Sequence, residues 1–270
     1  MPELPEVETT VRGLEKVLLG QRIARVELRR GDLRRAFPPD LGQRLTGATV
    51  TSLGRRGKFG LIHTDRADTF VFHLGMSGKW RVDAHELHAH DHLLIETGDG
   101  RRLALNDPRR FGSVDLVATG EVDDWGPIGE LGPEPTELDA GWLRERLRGR
   151  KAPIKSLLLD QRLVAGLGNI YVCEALHRSH IDPRRAGGRL SRDSVTRLVA
   201  AIRDVIAEAI EAGGSTLRDY ARPDGELGYF SKSFAVYDRE GQRCLCGGTV
   251  RRLVQGGRST FYCPQCQRQR

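Results

Sequence analysis

Leu158-Leu-Asp-Gln-Arg-Leu-Val-Ala-Gly-Leu-Gly-Asn-Ile-Tyr-Val-Cys-Glu-Ala-Leu176 is the stretch on which the fold turns. An apolar helical pattern breaks at Gly166-Leu-Gly168-Asn169, and helical periodicity resumes with Ile170, Ala175 and Leu176. The spacing predicts helix–turn–helix with glycines at the break. Backbone N–H groups exposed there, with the Asn169 side chain at the new helix N-terminus, suit a phosphate. An ordinary αα-hairpin fits the same residues, and the stretch alone does not separate the two readings.

Working outward toward the N-terminus, Leu138 to Leu147 and Ile154 to Leu159 are helical. Before them, Trp125-Gly-Pro-Ile-Gly-Glu-Leu-Gly-Pro-Glu-Pro135 has no periodicity and reads as an interdomain linker. From about Arg22 to Leu116 the pattern is that of strands: Ile23–Leu28, Ala48–Leu53, Phe59–His63, Thr69–Leu74, His92–Glu96 and Arg102–Leu105, separated by Gly, Asp and Pro turns. A leading helix is marked by Val7, Val11, Leu14, Val17 and Leu18, with Gly20 as its stop. Toward the C-terminus, Val195, Leu198, Ile202, Val205 and Ala209 mark a further helix closed by Gly213-Gly214. Ser215 to Tyr229 then reads as a long functional loop. The tail from Phe234 reads as strands around cysteine pairs.

The predicted class is α+β. An N-terminal two-layer β-sandwich with a leading helix spans 1–130, a helical domain 131–233, and a cysteine-bearing hairpin 234–270. At 270 residues and 39% hydrophobic content, there is enough chain for two cores. Lys+Arg 43 against Asp+Glu 36 gives a net +7. That fits a polyanionic partner such as nucleic acid, or simply a basic protein. No apolar run reaches membrane-spanning length and no signal segment opens the chain, so a cytoplasmic location is expected by default.

Cys244-Leu-Cys246 and Cys263-Pro-Gln-Cys266 are two close thiol pairs sixteen residues apart. They read as the ligands of one structural zinc ion. The single residue inside the first pair is tighter than the usual knuckle. Cys173 stands apart and reads as a core thiol. Seven arginines and two acids between Asp238 and Arg270 place 7 − 2 = +5 on this tail. Among them Arg258 precedes a Ser-Thr-Phe-Tyr strand, at a hairpin tip that would suit a nucleic-acid backbone, while an ordinary solvated arginine fits any single one of them equally well.

Two loops, His73-Leu-Gly-Met76-Ser-Gly78 and Asn106-Asp-Pro-Arg109-Arg-Phe111-Gly112, place an apolar side chain among glycines. Met76 and Phe111, the latter beside Arg109, suit insertion into a base stack. Either loop alone fits a buried apolar residue with solvated arginines equally well. Lys58 begins a strand among basic neighbours, and His90 precedes Asp91-His92; both suit phosphate or sugar contacts.

The first residues, Met1-Pro-Glu-Leu-Pro-Glu-Val-Glu8, admit two readings. Pro2 and Pro5 are good helix-start residues, and Glu3, Glu6 and Glu8 complement the first-turn dipole. Alternatively, removal of Met1 exposes a secondary amine on Pro2. Such an α-amine titrates near pH ~8, against ~10.4 for lysine, so more of it is nucleophilic at neutral pH. A carboxylate at Glu3 then supplies the proton donor for Schiff-base chemistry. Taken alone, these eight residues favour the first reading.

Taken together and in this order, the N-terminal motif, Lys58, His73–Gly78, Asp107–Gly112, Leu131-Gly-Pro-Glu-Pro135, Gly166–Tyr171 and the cysteine hairpin resemble one family. It is the bacterial formamidopyrimidine-DNA glycosylases of the helix-two-turns-helix superfamily. Leu4 and the Gly-Pro-Glu-Pro segment favour this branch over the similar endonuclease VIII branch.

The resemblance implies excision of oxidised purines from duplex DNA, with the damaged nucleotide extruded, followed by cleavage of the abasic site. By similarity, Pro2 is the nucleophile, Glu3 the general acid and Glu6 a supporting carboxylate. Lys58 and Arg258 would assist β- and δ-elimination. Met76, Arg109 and Phe111 would fill and wedge the stack, and His90, Lys151 and Asn169 would lie near the backbone. The loop from Ser215 to Tyr229 would close over an extruded 8-oxoguanine. The implied partner is duplex DNA carrying an oxidised base or abasic site, met by a monomer associated with the nucleoid when bound. An oxidised-pyrimidine glycosylase and a non-catalytic nucleic-acid binder are the competing readings. The Cys-x-Cys spacing departs from the family pattern and puts the metal geometry, and with it the placement of Arg258, in question.

Overall fold

In the computed structural model of the chain, helix α1 spans Leu4–Leu18, beginning three residues before the apolar periodicity does. The early start has a local cause. Pro5 stands in the first turn, where its missing N–H costs nothing, and Glu3 and Glu6 cap the helix reciprocally. One face, including Leu4, Val7, Val11, Leu14 and Leu18, is buried. The structure describes residues 1–215, 223, 225 and 228–268. They divide into two units, Met1–Gly129 with Ala212–Tyr229, and Glu130–Glu211 with Phe230 onward.

The first unit contains two four-stranded antiparallel sheets. One has the order β1 (Ile23–Leu28), β6 (Asp91–Thr97), β7 (Arg102–Asn106), β5 (Lys79–Arg81). The other runs β2 (Val50–Arg56), β3 (Phe59–Thr64), β4 (Asp68–His73), β8 (Ser113–Ala118). A short helix, α2 (Leu41–Leu45), follows β1. Alternation along the strands sorts their side chains. Phe70 and Phe72 face a core shared with α1, Trp80, Leu93, Ile95, Leu103 and Leu105. Val71, between them, faces the opposite side with Leu61, Val117 and Ile128. Trp80 meets Phe70 and Phe72 edge-on, at 6.1 and 5.6 Å between centroids, and so joins the two sheets. Such ring pairs contribute about 0.5–1.5 kcal/mol each beyond their buried area.

Two strands, β5 and β8, were not among those marked by the sequence pattern. β2 also ends later than expected, because Arg55 and Arg56 pair with Gly60 and Phe59 across the Gly57-Lys58 turn. The stretch read as a linker is structured at its start. Gly126–Gly129 forms the short helix α3, with Pro127 in its first turn and Ile128 buried in the core.

The second unit holds α4 (Ala140–Leu147), α5 (Ile154–Leu158), α6 (Asn169–Arg178) and α7 (Arg192–Glu211), then the hairpin β9 (Arg251–Gln255) and β10 (Arg258–Tyr262). The helical pattern expected up to Gly166 is not realised. α5 stops at Leu158, and Asp160–Gly166 forms turns. Side chains explain the break. Asp160 accepts the Arg162 N–H and guanidinium, while Gln161 donates to the carbonyls of Leu159 and Leu167 and accepts the Gly166 N–H. These bonds replace the helical ladder. Gly132 and Pro133 dock on the same turns, through Gly132 N–H to Gln161 O and Ala165 N–H to Pro133 O. No described helix is long and apolar enough to cross a membrane.

Candidate active site and nucleic-acid interface

The start of α1 concentrates buried charge. Pro2 is buried, and Glu3 and Glu6 are each only 2% exposed. Glu6 Oε2 accepts the Glu3 N–H at 2.8 Å, and the Glu3 carboxylate accepts the Glu6 N–H. The second oxygen, Glu6 Oε1, accepts the N–H of Ser215 at 2.7 Å. Glu6 therefore binds the chain terminus to the base of the 215–229 segment. That base is pinched: Ser215 and Tyr229 form an antiparallel bridge, and a Cβ on Gly228 would collide with the Gly214 carbonyl. Of the long loop read from the sequence, residues 216–222, 224, 226 and 227 lie outside the described residues.

One turn further along α1, Glu8 accepts from Arg55 at 2.9 Å and from Arg12 at 2.8 Å. Burial pushes its carboxyl up, but the hydrogen bonds from Arg55 and Arg12 outweigh it and leave the group below the usual range. The Arg55 bond fixes α1 against β2, the strand that leads into Lys58. Lys58 lies in the β2–β3 turn and is only 8% exposed. It is close enough to His73 to act on it. Burial first, then the cations Lys58, Arg34 and Arg35, lower the His73 imidazole to about 4. His73 Nδ1 accepts the Gly75 N–H at 3.1 Å, which fixes the ring at the entrance to the Met76 loop.

The Met76 and Phe111 loops are one construction. Asp107 is fully buried, and its carboxylate accepts from Ser77 Oγ at 2.7 Å and from Gly112 N–H at 2.8 Å. Ser77 Oγ in turn accepts the Arg109 N–H at 3.2 Å. Gly75 has φ of 62°, and a Cβ there would strike the Phe111 backbone. The frame is thus rigid where it carries two apolar side chains into solvent, Met76 at 37% and Phe111 at 46% exposure. Arg109 lies over the Phe111 ring at 4.8 Å. His90 is exposed, and its carbonyl accepts the Asp107 N–H. The alternative of a buried Met76 and Phe111 is excluded by this geometry.

In the second unit, Arg258 opens β10 and is exposed, immediately after Gly256 and Gly257, both with positive φ. Lys151 is exposed just before α5. Asn169 does not cap α6; the N-cap is Gly168, with no side-chain hydrogen bond. Instead Asn169 Nδ2 donates to the Ser259 carbonyl at 2.9 Å, beside Arg258. An amide that points back at a hairpin leaves the helix N-terminus to backbone groups alone.

Two residues that organise this region escaped sequence reading. Lys155 is fully buried and donates to Ser259 O at 3.1 Å and Thr260 Oγ1 at 2.7 Å. A lysine among apolar helix residues carries no sign of a partner more than a hundred positions away. Glu174, also fully buried, accepts the N–H groups of Ala235, Val236 and Tyr237 at 2.9, 3.0 and 2.8 Å. Its only hint was an acid inside an otherwise apolar helical face.

The four cysteines converge. Their Sγ atoms all lie within 4.8 Å of one another, with Cys244–Cys266 at 3.9 Å and Cys246–Cys263 at 3.5 Å. A tetrahedron with metal–sulfur bonds of ~2.3 Å has sulfur edges of about 3.8 Å. The thiols therefore fit one structural zinc ion despite the Cys-x-Cys spacing. Gly247, with φ of 87°, turns the chain directly behind Cys246 and makes the short spacing workable. Cys173 is buried beside this centre with Val236, Val250 and Phe261, as a core thiol.

Three family descriptions match in chain order. The formamidopyrimidine-DNA glycosylase N-terminal domain covers residues 1–114, its H2TH domain 131–221, and a zinc finger found in FPG and IleRS 241–269. A formamidopyrimidine-DNA glycosylase of Rhizorhabdus wittichii is 65% identical over 270 residues, covering 99% of this chain and 100% of that protein. One from Zymomonas mobilis is 50% identical over 99% of this chain and 100% of its own length. Among solved structures, the Lactococcus lactis Fpg in complex with an abasic site containing DNA aligns with a TM-score of 0.92 at 36% identity, covering 99% of this chain and 100% of that one. The MutM (Fpg) protein of Thermus thermophilus aligns at 0.89 with 41% identity, over 98% of each chain. With all three regions matched end to end and the zinc ligands in place, the chain belongs to the bacterial formamidopyrimidine-DNA glycosylase family.

Proposed function

We propose that the chain excises oxidised purines, 8-oxoguanine and formamidopyrimidines, from duplex DNA and cleaves the resulting abasic site through a Schiff base on Pro2. Its family membership makes it a base-excision DNA glycosylase and abasic-site lyase. The observation that carries the residue assignment is the pair of buried carboxylates, Glu3 and Glu6, immediately behind Pro2. With Met1 removed, the Pro2 amine adds to C1′ of the extruded nucleotide as the C1′–N9 bond breaks and the base leaves with a proton. Glu3 is the proton donor, to the sugar ring oxygen or the departing base. Glu6, bonded to the Glu3 amide, is a positioning residue. Protonation of the ring oxygen O4′ then breaks the C1′–O4′ bond and opens the sugar to an iminium at C1′; the iminium acidifies the C2′ proton, whose loss expels the 3′ phosphate, and a second elimination expels the 5′ phosphate. Lys58 and Arg258 assist these eliminations and hold phosphate, and hydrolysis of the imine returns the amine.

Met76, Arg109 and Phe111 occupy the gap and wedge the opposite strand, a role supported by their exposure on a rigid frame. His90, Lys151 and Asn169 lie along the backbone, with Asn169 acting through the β10 hairpin. The chain works as a monomer in the cytoplasm, on the nucleoid when bound. The oxidised-pyrimidine and non-catalytic readings are not favoured, because the relatives carry the formamidopyrimidine name over their full length.

Incubation with a duplex bearing 8-oxoguanine opposite cytosine, followed by borohydride, traps a covalent adduct if Pro2 is the nucleophile. Protein that keeps Met1 ahead of Pro2, so that no amine is free on Pro2, should bind the duplex and form no adduct. An adduct of undiminished yield from that protein rejects the assignment; thymine glycol excised faster than 8-oxoguanine rejects the purine specificity.

A further inference from the structure

Helix α6 turns one stripe of side chains toward the zinc hairpin. Asn169, Cys173 and His177 are four residues apart and lie one above another on a helix. Asn169 reaches Ser259 and Cys173 packs with Val236 and Phe261. The third, His177, is buried, and its Nε2 lies 3.3 Å from Cys244 Sγ and 3.6 Å from Cys266 Sγ. We propose that His177 is a positioning residue of the zinc centre, donating its Nε2–H to the Cys244 and Cys266 thiolates rather than ligating the metal.

The tautomer follows from the other ring nitrogen. His177 Nδ1 is buried and meets no donor or acceptor among the described residues. If Nε2 were a metal ligand, the ring proton would sit on Nδ1 as a buried N–H without an acceptor, an arrangement that is rare in folded proteins. Ligating histidines almost always donate that second N–H to a neighbour, and His177 has none among the described residues. With the proton on Nε2, the N–H points at two sulfurs and Nδ1 leaves only a lone pair. The four cysteines already complete a tetrahedral set. Four thiolates on one divalent ion carry two excess negative charges, and an N–H donor draws charge off the sulfurs. It also ties the centre to α6, the helix whose Asn169 fixes the strand that follows Arg258.

The test uses the zinc-loaded full-length protein. In His177→Phe the ring stays and the donor goes; in His177→Gln a terminal amide N–H takes the place of Nε2–H. Zinc release to excess chelator should accelerate about tenfold or more in His177→Phe and stay within about threefold of wild type in His177→Gln. In cobalt-substituted protein, the thiolate-to-cobalt charge-transfer band should move to lower energy in His177→Phe and return in His177→Gln, while the ligand-field bands keep their four-sulfur pattern in all three. X-ray absorption of wild-type zinc protein should give four sulfurs, a measurement that stands even if His177→Phe fails to fold. A nitrogen in the first shell overturns the proposal. So does zinc release from His177→Phe at the wild-type rate, or from His177→Gln as fast as from His177→Phe.

Discussion

Replacing Glu6 with glutamine separates two hydrogen bonds that a carboxylate makes together. Glu6 Oε2 holds the Glu3 N–H and Oε1 holds the Ser215 N–H, both in a buried setting. A carboxamide has one oxygen; its NH₂ must face the other N–H, donor against donor. Loss of one charge-assisted bond removes about 1.5–3 kcal/mol, and stranding a buried donor costs about 1–3 more. Allowing for relaxation, roughly 3 kcal/mol is lost from the anchoring of the terminus. At about 1.4 kcal/mol per decade this is ~100-fold. Single-turnover excision of 8-oxoguanine should slow by about that factor, while affinity for a duplex with an abasic-site analogue stays within about threefold. Hydrogen exchange at the Glu3 and Ser215 amides should accelerate in parallel. Glu8→Gln is the control: it makes the same exchange on the same helix, but Glu8 pairs with Arg55 and Arg12 rather than with Glu3 or Ser215, so the Glu3 and Ser215 amides should keep their protection. Wild-type excision by Glu6→Gln, with both amides still protected, would refute the reasoning.

Two further outcomes follow from buried groups. The His73 imidazole is lowered to about 4 by burial, Lys58, Arg34 and Arg35. As pH falls below ~6.5 the unfolded chain takes the proton before the folded one, so stability present above ~6.5 drains away toward pH 4, by about 3 kcal/mol. Urea unfolding across that range should show the loss, and His73→Asn, which keeps an acceptor for Gly75 N–H, should flatten it; parallel curves for the two proteins would reject the assignment. Glu174→Gln should lower the thermal midpoint by roughly 5–15 °C, because its NH₂ must face one of the three N–H groups now held at Ala235, Val236 and Tyr237. An unchanged midpoint would mean that apolar contacts alone hold that segment.

What was legible in the sequence was whatever short spacing encodes. The 7, 11, 14, 18 periodicity marked α1, alternation marked most strands, and the paired cysteines marked the zinc site. What stayed hidden depends on distant chain. Glu6 meets Ser215 at a separation of 209 residues, and Lys155 meets Thr260 at 105. No local pattern distinguishes those side chains from solvated ones. The turns after α5 were missed for the opposite reason: apolar residues at Leu163 and Val164 imitate a helix, while the Asp160 and Gln161 side chains take over the backbone bonds. The N-terminal motif was ambiguous because a good helix start and a catalytic terminus call for the same residues. The structure shows that α1 is capped by the carboxylates that would serve the chemistry.

The Asp107 carboxylate has a consequence for protein engineering. Because its two oxygens bind one group from each exposed loop, Ser77 and Gly112, neither loop keeps its shape without the other. A graft that imports a new segment around Met76 while retaining the resident Asp107–Gly112 segment inherits a mismatched hinge. The pair forms a single transplantable cassette, and diversity introduced there should be sampled in linked combinations, with Ser77, Asp107 and Gly112 held constant.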